Sequence, residues 1–170
     1  MKALSIKNPY AFNIVSGDKT IEYRTWVPKE TKEFLLVSSS SPSPYDFGIG
    51  LPHGYAMAII KITSVSEHKN KDGNYEWHVE PQCPVNPIKV KGKLHFYDVA
   101  DDKITLRTDL VDSMRAYLKD SESQAGQKYV EEYLDKLCDI GYDEMPKKYQ
   151  KILAAYPGDW EKVADVWMNS

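Results

Sequence analysis

The sequence predicts a single α+β domain: a small β-barrel, or a strongly curved sheet, with flanking helices and a helical C-terminal extension. Three observations carry this. Short runs of alternating apolar and polar residues recur up to about residue 107. At Thr108-Asp109 the apolar spacing switches to that of helices. Across 170 residues, a hydrophobic content of 42%, with 12% aromatic, is enough to fill one core.

Leu4 and Ile6 alternate with polar neighbours as a short strand does. Asn8-Pro9 then offers an N-cap followed by proline at the first helical position. Tyr10, Ala11, Ile14 and Val15 give that helix an apolar face, and Gly17 falls where a left-handed C-cap belongs. Lys19 to Trp26 reads as a strand, and Glu33 to Ser38, rich in apolar residues, as a buried one. The stretch Ser38-Ser39-Ser40-Ser41-Pro42-Ser43-Pro44 breaks regular structure as a loop within the domain, because too few residues precede it to form a core. Tyr55 to Val65 is the longest strand-like run. Tyr75, Trp77 and Val79 mark another strand, and Ile88 with Val90 a further one; Asp72-Gly73 makes a turn. Gly92 permits a bend, after which Leu94 to Val99 and Ile104 to Arg107 complete the strands.

Residues 1–108 are therefore expected to form the barrel and 109–170 the extension packed on it. In the extension, Leu110, Met114, Tyr117 and Leu118 define one helix. Val130, Tyr133, Leu134 and Leu137 define a second, stopped near Gly141; Tyr149, Ile152 and Leu153 define a third, stopped by Pro157-Gly158. Asp159 caps a last helix whose Trp160, Val163 and Trp167 share one face and need a cover.

No apolar run approaches the ~20 residues of a membrane span, and Lys7-Asn8-Pro9 interrupts the N-terminus where a signal peptide would be apolar, so a cytoplasmic protein is expected. Cys83 and Cys138 form no Cys-x-x-Cys pair and read as two buried thiols. The net charge of −3 excludes a protein that coats nucleic acid by bulk electrostatics. That charge is uneven: residues 1–108 hold 14 Lys+Arg against 12 Asp+Glu, net +2, whereas residues 109–170 hold 8 against 13, net −5. An anionic ligand therefore favours the N-terminal part.

The densest cluster of chemistry is Gly17-Asp18-Lys19-Thr20-Ile21-Glu22-Tyr23-Arg24, a G-x-K-x-x-E-x-R pattern where a helix passes into a strand. Strand alternation puts Glu22 and Arg24 on one face as neighbours, with Ile21 and Tyr23 on the other. With this motif, the N-terminal Lys2-Ala3-Leu4-Ser5-Ile6 strand, Asn8-Pro9-Tyr10-Ala11, Trp26, the Tyr55–Val65 strand, Trp77 and Pro87-Ile88-Lys89-Val90-Lys91-Gly92-Lys93-Leu94, the sequence resembles the ASCH family, relatives of the PUA RNA-binding fold. The resemblance spans roughly two-thirds of the chain and stops before the helices that follow Thr108. It implies a barrel with a polar cleft beside the first helix, into which Lys19, Glu22 and Arg24 project, and an RNA or nucleotide-like ligand. Lys19 and Arg24 suit a phosphate, Tyr10, Trp26 or Tyr55 could stack a base, and Glu22 could accept from a base or ribose hydroxyl.

Three other readings compete. Glu22 and Arg24 could be an ion pair that only closes the barrel, although an exposed pair stabilises by roughly 0.2–1 kcal/mol and explains poorly why three charges meet at one bend. The resemblance also implies hydrolysis in two forms. In nucleoside amidohydrolysis of the ASCH kind, Lys19 would be the base, but the nucleophilic threonine three residues on is here Glu22, with Thr20 nearby; in RNA cleavage, Lys19, Arg24 or a tyrosine would stabilise the transition state and Glu22 or a metal would assist proton transfer. A protein–protein interaction module would instead work through the acidic C-terminal helices and the Trp160, Val163, Trp167 stripe, and those helices could also lie over the cleft. None of His53, His68, His78 and His95 has the spacing of a helical metal pair, no glycine-rich phosphate loop is present, and no pattern names a cofactor. Lys89, Lys91 and Lys93 alternate as a solvated strand face does, or as a positive rim.

Overall fold

Strands β1 (Lys2–Ile6), β2 (Ile21–Arg24), β3 (Glu33–Ser38), β4 (Tyr55–Val65), β5 (Tyr75–Lys89) and β6 (Tyr97–Asp98) form one mixed sheet in a computed structural model that describes residues 1–41 and 48–170. Residues 42–44 of the expected loop break lie outside the described residues. The strand order is β2-β5-β4-β3-β1-β6, with β1 parallel to β3 and the other neighbours antiparallel. β3 is apolar from Phe34 to Val37 because both its faces are covered there. Phe34 and Leu36 enter the main core with Leu4, Ile60 and Trp77, and Leu35 and Val37 enter a second core with Ala56, Tyr97 and Val99.

The sheet is not closed into the expected barrel. β6 is only two residues long and pairs with Lys2 and Ala3, so β1 beyond Ala3 has no partner strand on that side, and β2 ends the sheet at its other edge. The expected Leu94–Val99 strand is reduced to Tyr97–Asp98, since His95 takes a left-handed φ of 56° that a ladder does not tolerate.

The two strands expected at Tyr75–Val79 and Ile88–Val90 are one 15-residue strand, β5. Pro81, Pro84 and Pro87 hide this in the sequence. Val79 donates to Thr20 and the Pro84 carbonyl accepts from Arg107, so outer-facing positions alternate through Pro81 and, past a register shift, resume at Pro84. A missing N–H on that side, beyond the reach of β2, breaks no bond to β4. The expected Ile104–Arg107 strand is a single bridge, Val85 to Leu106.

Helix α1 (Tyr10–Ser16) buries Ala11, Ile14 and Val15 against the sheet, and Gly17 ends it at φ 84° with its N–H on Ile14. Asn8 is buried, donating to Pro52 at 2.6 Å and accepting from the Phe12 amide at 3.3 Å. After Arg107, α2 (Val111–Lys119) sends Met114 into the main core. Next, α3 (Gln127–Tyr129) passes through a π-helical turn, Val130–Leu134, into α4 (Asp135–Glu144). Tyr129 and Tyr133 stack with centroids 5.2 Å apart; their hydroxyls donate to the carbonyls of Val15 and Met57, tying the helices to α1 and β4.

Gly141 does not stop the second helix, which runs on to Glu144. A β-carbon there would stand 2.3 Å from the Gly50 carbonyl oxygen and 2.5 Å from Leu51, so glycine serves the close approach of two backbones. The cover for the α6 (Trp160–Met168) stripe comes from Ile49, Met145 and, on α5 (Lys147–Ala155), Tyr149 and Leu153. Cys83 is buried, but Cys138 is exposed, because α4 turns that position outward. No helix among the described residues is long and apolar enough to cross a membrane.

Candidate functional site

Register decides which way the G-x-K-x-x-E-x-R motif faces. Glu22 lies opposite Trp77 and Arg24 opposite Tyr75 on β5, and cross-strand partners share a face, so both charged side chains point inward beside the buried Trp77. Glu22 is 6% exposed. Its Oε1 accepts from the Tyr23 amide at 3.1 Å and lies 4.0 Å from Lys19 Nζ; its Oε2 is 3.6 Å from the Arg24 guanidinium and has no hydrogen-bond partner. One buried carboxylate thus stands between two cations.

Lys19 donates to the Ile21 carbonyl, and its ammonium lies 5.0 Å from the Tyr23 ring centroid and 5.8 Å from that of Tyr10. Burial lowers the Lys19 pKa, Glu22 opposes that shift and Arg24 adds to it. Arg24 instead reaches across the opening of the sheet and donates to the Ser5 carbonyl on β1 at 3.2 Å. The barrel's missing ladder is replaced here by one side chain.

A cleft of about 740 Å³ runs along this seam, lined by Ser5, Lys7, Arg24, Lys91, Lys93 and His95 among others. Four of its lining residues are Lys or Arg, and no described lining residue is acidic. Like charges gathered on one concave wall raise the local concentration of anions. The comparison with family models decides what frame this is: the ASCH domain matches residues 4–161. The chain belongs to the ASCH domain family. No curated protein matched it. The match includes the helices after Thr108, which the motif-level resemblance left out.

Within this ASCH domain, the structure brings Lys19, Glu22 and Arg24 together with Tyr10 beside them. Trp26 stands one residue past Thr25 in a neighbouring aromatic recess, with ring centroids of Trp77 and His95 at 5.0 Å and Phe96 at 5.2 Å. Tyr55 is not among the residues lining the seam cleft: its hydroxyl donates to Glu144 and Lys89 lies 4.8 Å over its ring. Burial, with help from Glu144, pushes the Tyr55 pKa up to about 12. Lys89 pairs with Glu144 at 3.2 Å, whereas Lys91 and Lys93 of the same row face the seam cleft. The alternation in Lys89-Val90-Lys91-Gly92-Lys93 was the sequence signal for those two; Lys7 and Ser5 carried none.

Proposed function

We propose that this ASCH domain binds RNA or a nucleotide-like ligand in the seam cleft. The observation that supports the reading is the set of four cations, Lys7, Arg24, Lys91 and Lys93, around one cleft without a described carboxylate on its wall. Arg24 offers a planar fork to a phosphate, and the lysines offer point charges along a backbone. Glu22 is buried behind them, so its role is to hold Arg24 and Lys19 in place instead of accepting from the ligand.

One observation favours hydrolysis as a second reading. Lys19 is partly buried beside Glu22 with a lowered pKa, which suits an amine that gives or takes a proton on a nucleoside or on RNA. The interaction reading loses the feature cited for it, since the Trp160, Val163, Trp167 stripe is engaged with Ile49, Met145 and α5. No residue beyond His95 lines the seam cleft among the described residues, so the acidic helices are not its cover.

The test is titration of the purified protein with short RNA, DNA and nucleosides, following binding and turnover, beside a Lys19→Ala/Arg24→Ala double variant checked for folding by circular dichroism. Binding lost in the folded variant is expected. Undiminished binding would remove the seam from consideration, and no response from either protein would leave Glu22–Arg24 as an ion pair that holds the sheet ends.

A further inference from the structure

The seam cleft does not end at His95. That residue also lines a second, open recess of about 810 Å³ whose wall includes Trp26, Tyr75 and Phe96. The volume lies in the ~300–1,000 Å³ range of small-ligand sites. Its chemistry differs from its neighbour's: aromatic faces join Lys29, Glu30 and Lys69 in place of a wall whose charges are all basic. Arg24 stands at the junction, opposite Tyr75 in the sheet register and two residues before Trp26.

Two features mark the recess as more than a gap between loops. The ring of Trp26 is held upright by three edge-to-face neighbours, Trp77, His95 and Phe96, and the Trp77 indole N–H donates to the Trp26 carbonyl at 3.2 Å. An aromatic already fixed in place has little side-chain freedom left to lose when a flat ligand stacks on it. Secondly, the two non-glycine residues at positive φ among the described residues, Lys29 at 53° and His95 at 56°, both line this recess. Left-handed backbone at a bulky residue costs free energy and concentrates at ligand clamps.

We infer that the recess of Trp26, Tyr75, His95 and Phe96 receives one unpaired base of a single-stranded nucleic acid whose adjoining phosphates lie on Arg24, Lys91 and Lys93. This deepens the proposed function and rests on it. A duplex keeps its bases stacked and their faces covered, so it can use the cationic cleft but not the recess. A free nucleoside can use the recess but not the row of cations. A single strand uses both, and stacking on an aromatic wall accepts any base.

The experiment compares, by fluorescence anisotropy, a short single-stranded RNA with the same strand carrying one central abasic nucleotide, which keeps every phosphate and removes one base; single-stranded DNA and an RNA duplex of the same length are further arms. The abasic strand is expected to bind about tenfold more weakly than the intact one. In Trp26→Ala, and in His95→Asn, which tolerates the left-handed backbone while removing the ring, the two strands should bind alike. The duplex should bind more weakly than the single strand, and the DNA arm reports whether the 2′-hydroxyl contributes to the same binding. Equal binding of intact and abasic strands by the wild type, with both lost in Arg24→Ala, would overturn the base recess and leave the cationic cleft standing. Binding of no oligonucleotide at all would overturn both.

Discussion

The guanidinium of Arg24 and the carbonyl of Ser5, 3.2 Å apart, join β2 at one edge of an open sheet to β1, the last but one strand at the other. The position of Arg24 therefore depends on what holds it from behind, which is the buried carboxylate of Glu22 at 3.6 Å.

Glu22→Gln keeps the shape of that side chain and removes its charge. Stability should fall by about 1–3 kcal/mol, below the ~3–5 kcal/mol of a fully buried pair because both cations retain some solvent contact. A urea midpoint unchanged at pH 7 would show that the pair contributes nothing to folding.

Lys91→Ala and Lys93→Ala lie on the cleft wall, away from the core. Each should leave the melting temperature alone, weaken oligonucleotide binding and reduce the slope of log affinity against log salt by about 1. Binding measured across a salt series checks this; an unchanged slope in both variants would mean that these lysines meet no phosphate.

Tyr129 and Tyr133 are buried, and burial raises both pKa values above the ordinary tyrosine value of 10.0. In the unfolded chain these phenols lose protons near their ordinary pKa, while in the folded protein they stay protonated. The unfolded state then binds fewer protons, so their stabilising contribution is complete below pH ~10 and falls as pH rises past it. Urea titrations from pH 8 to 11 should show a steep alkaline loss in the wild type and a shallower one in Tyr129→Phe/Tyr133→Phe, which should start about 1–3 kcal/mol lower from its lost hydrogen bonds.

Gly141→Ala would improve helix propensity by about 1 kcal/mol in isolation. Here the added carbon meets backbone at 2.3 Å, which cannot yield as a side-chain tip does, so a net loss of about 1–3 kcal/mol is expected by thermal denaturation. A gain in melting temperature would show that α4 and the Gly50 turn are not packed so closely.

Local chemistry made much of this legible in advance. Gly17 ends α1 as its position demanded, and alternation alone put Glu22 beside Arg24. What stayed hidden depends on register between distant segments. Nothing near residue 81 reveals that β5 continues through three prolines, because that depends on which side β2 and β4 occupy. Gly141 looked like a helix stop because the Gly50 backbone that it meets lies some ninety residues earlier in the chain. The seam was readable only in part for the same reason: Arg24 and the row of Lys91 and Lys93 stood out, but Ser5 and Lys7 come from another stretch, and only their assembly makes a cleft.

The prolines of β5 have an effect beyond the single molecule. Where β2 stops, the outer side of β5 would present free amides to any extended chain in solution, and such an edge invites copies to add to one another strand by strand. Pro81 and Pro84 remove donors on that side, and the Asn86 amide is taken by the Thr105 carbonyl at 2.9 Å. Replacing Pro81 by threonine would leave the fold's own pairing with β4 intact and turn the stretch between β2 and the Val85–Leu106 bridge into a template, so the first symptom should be turbidity in concentrated solution.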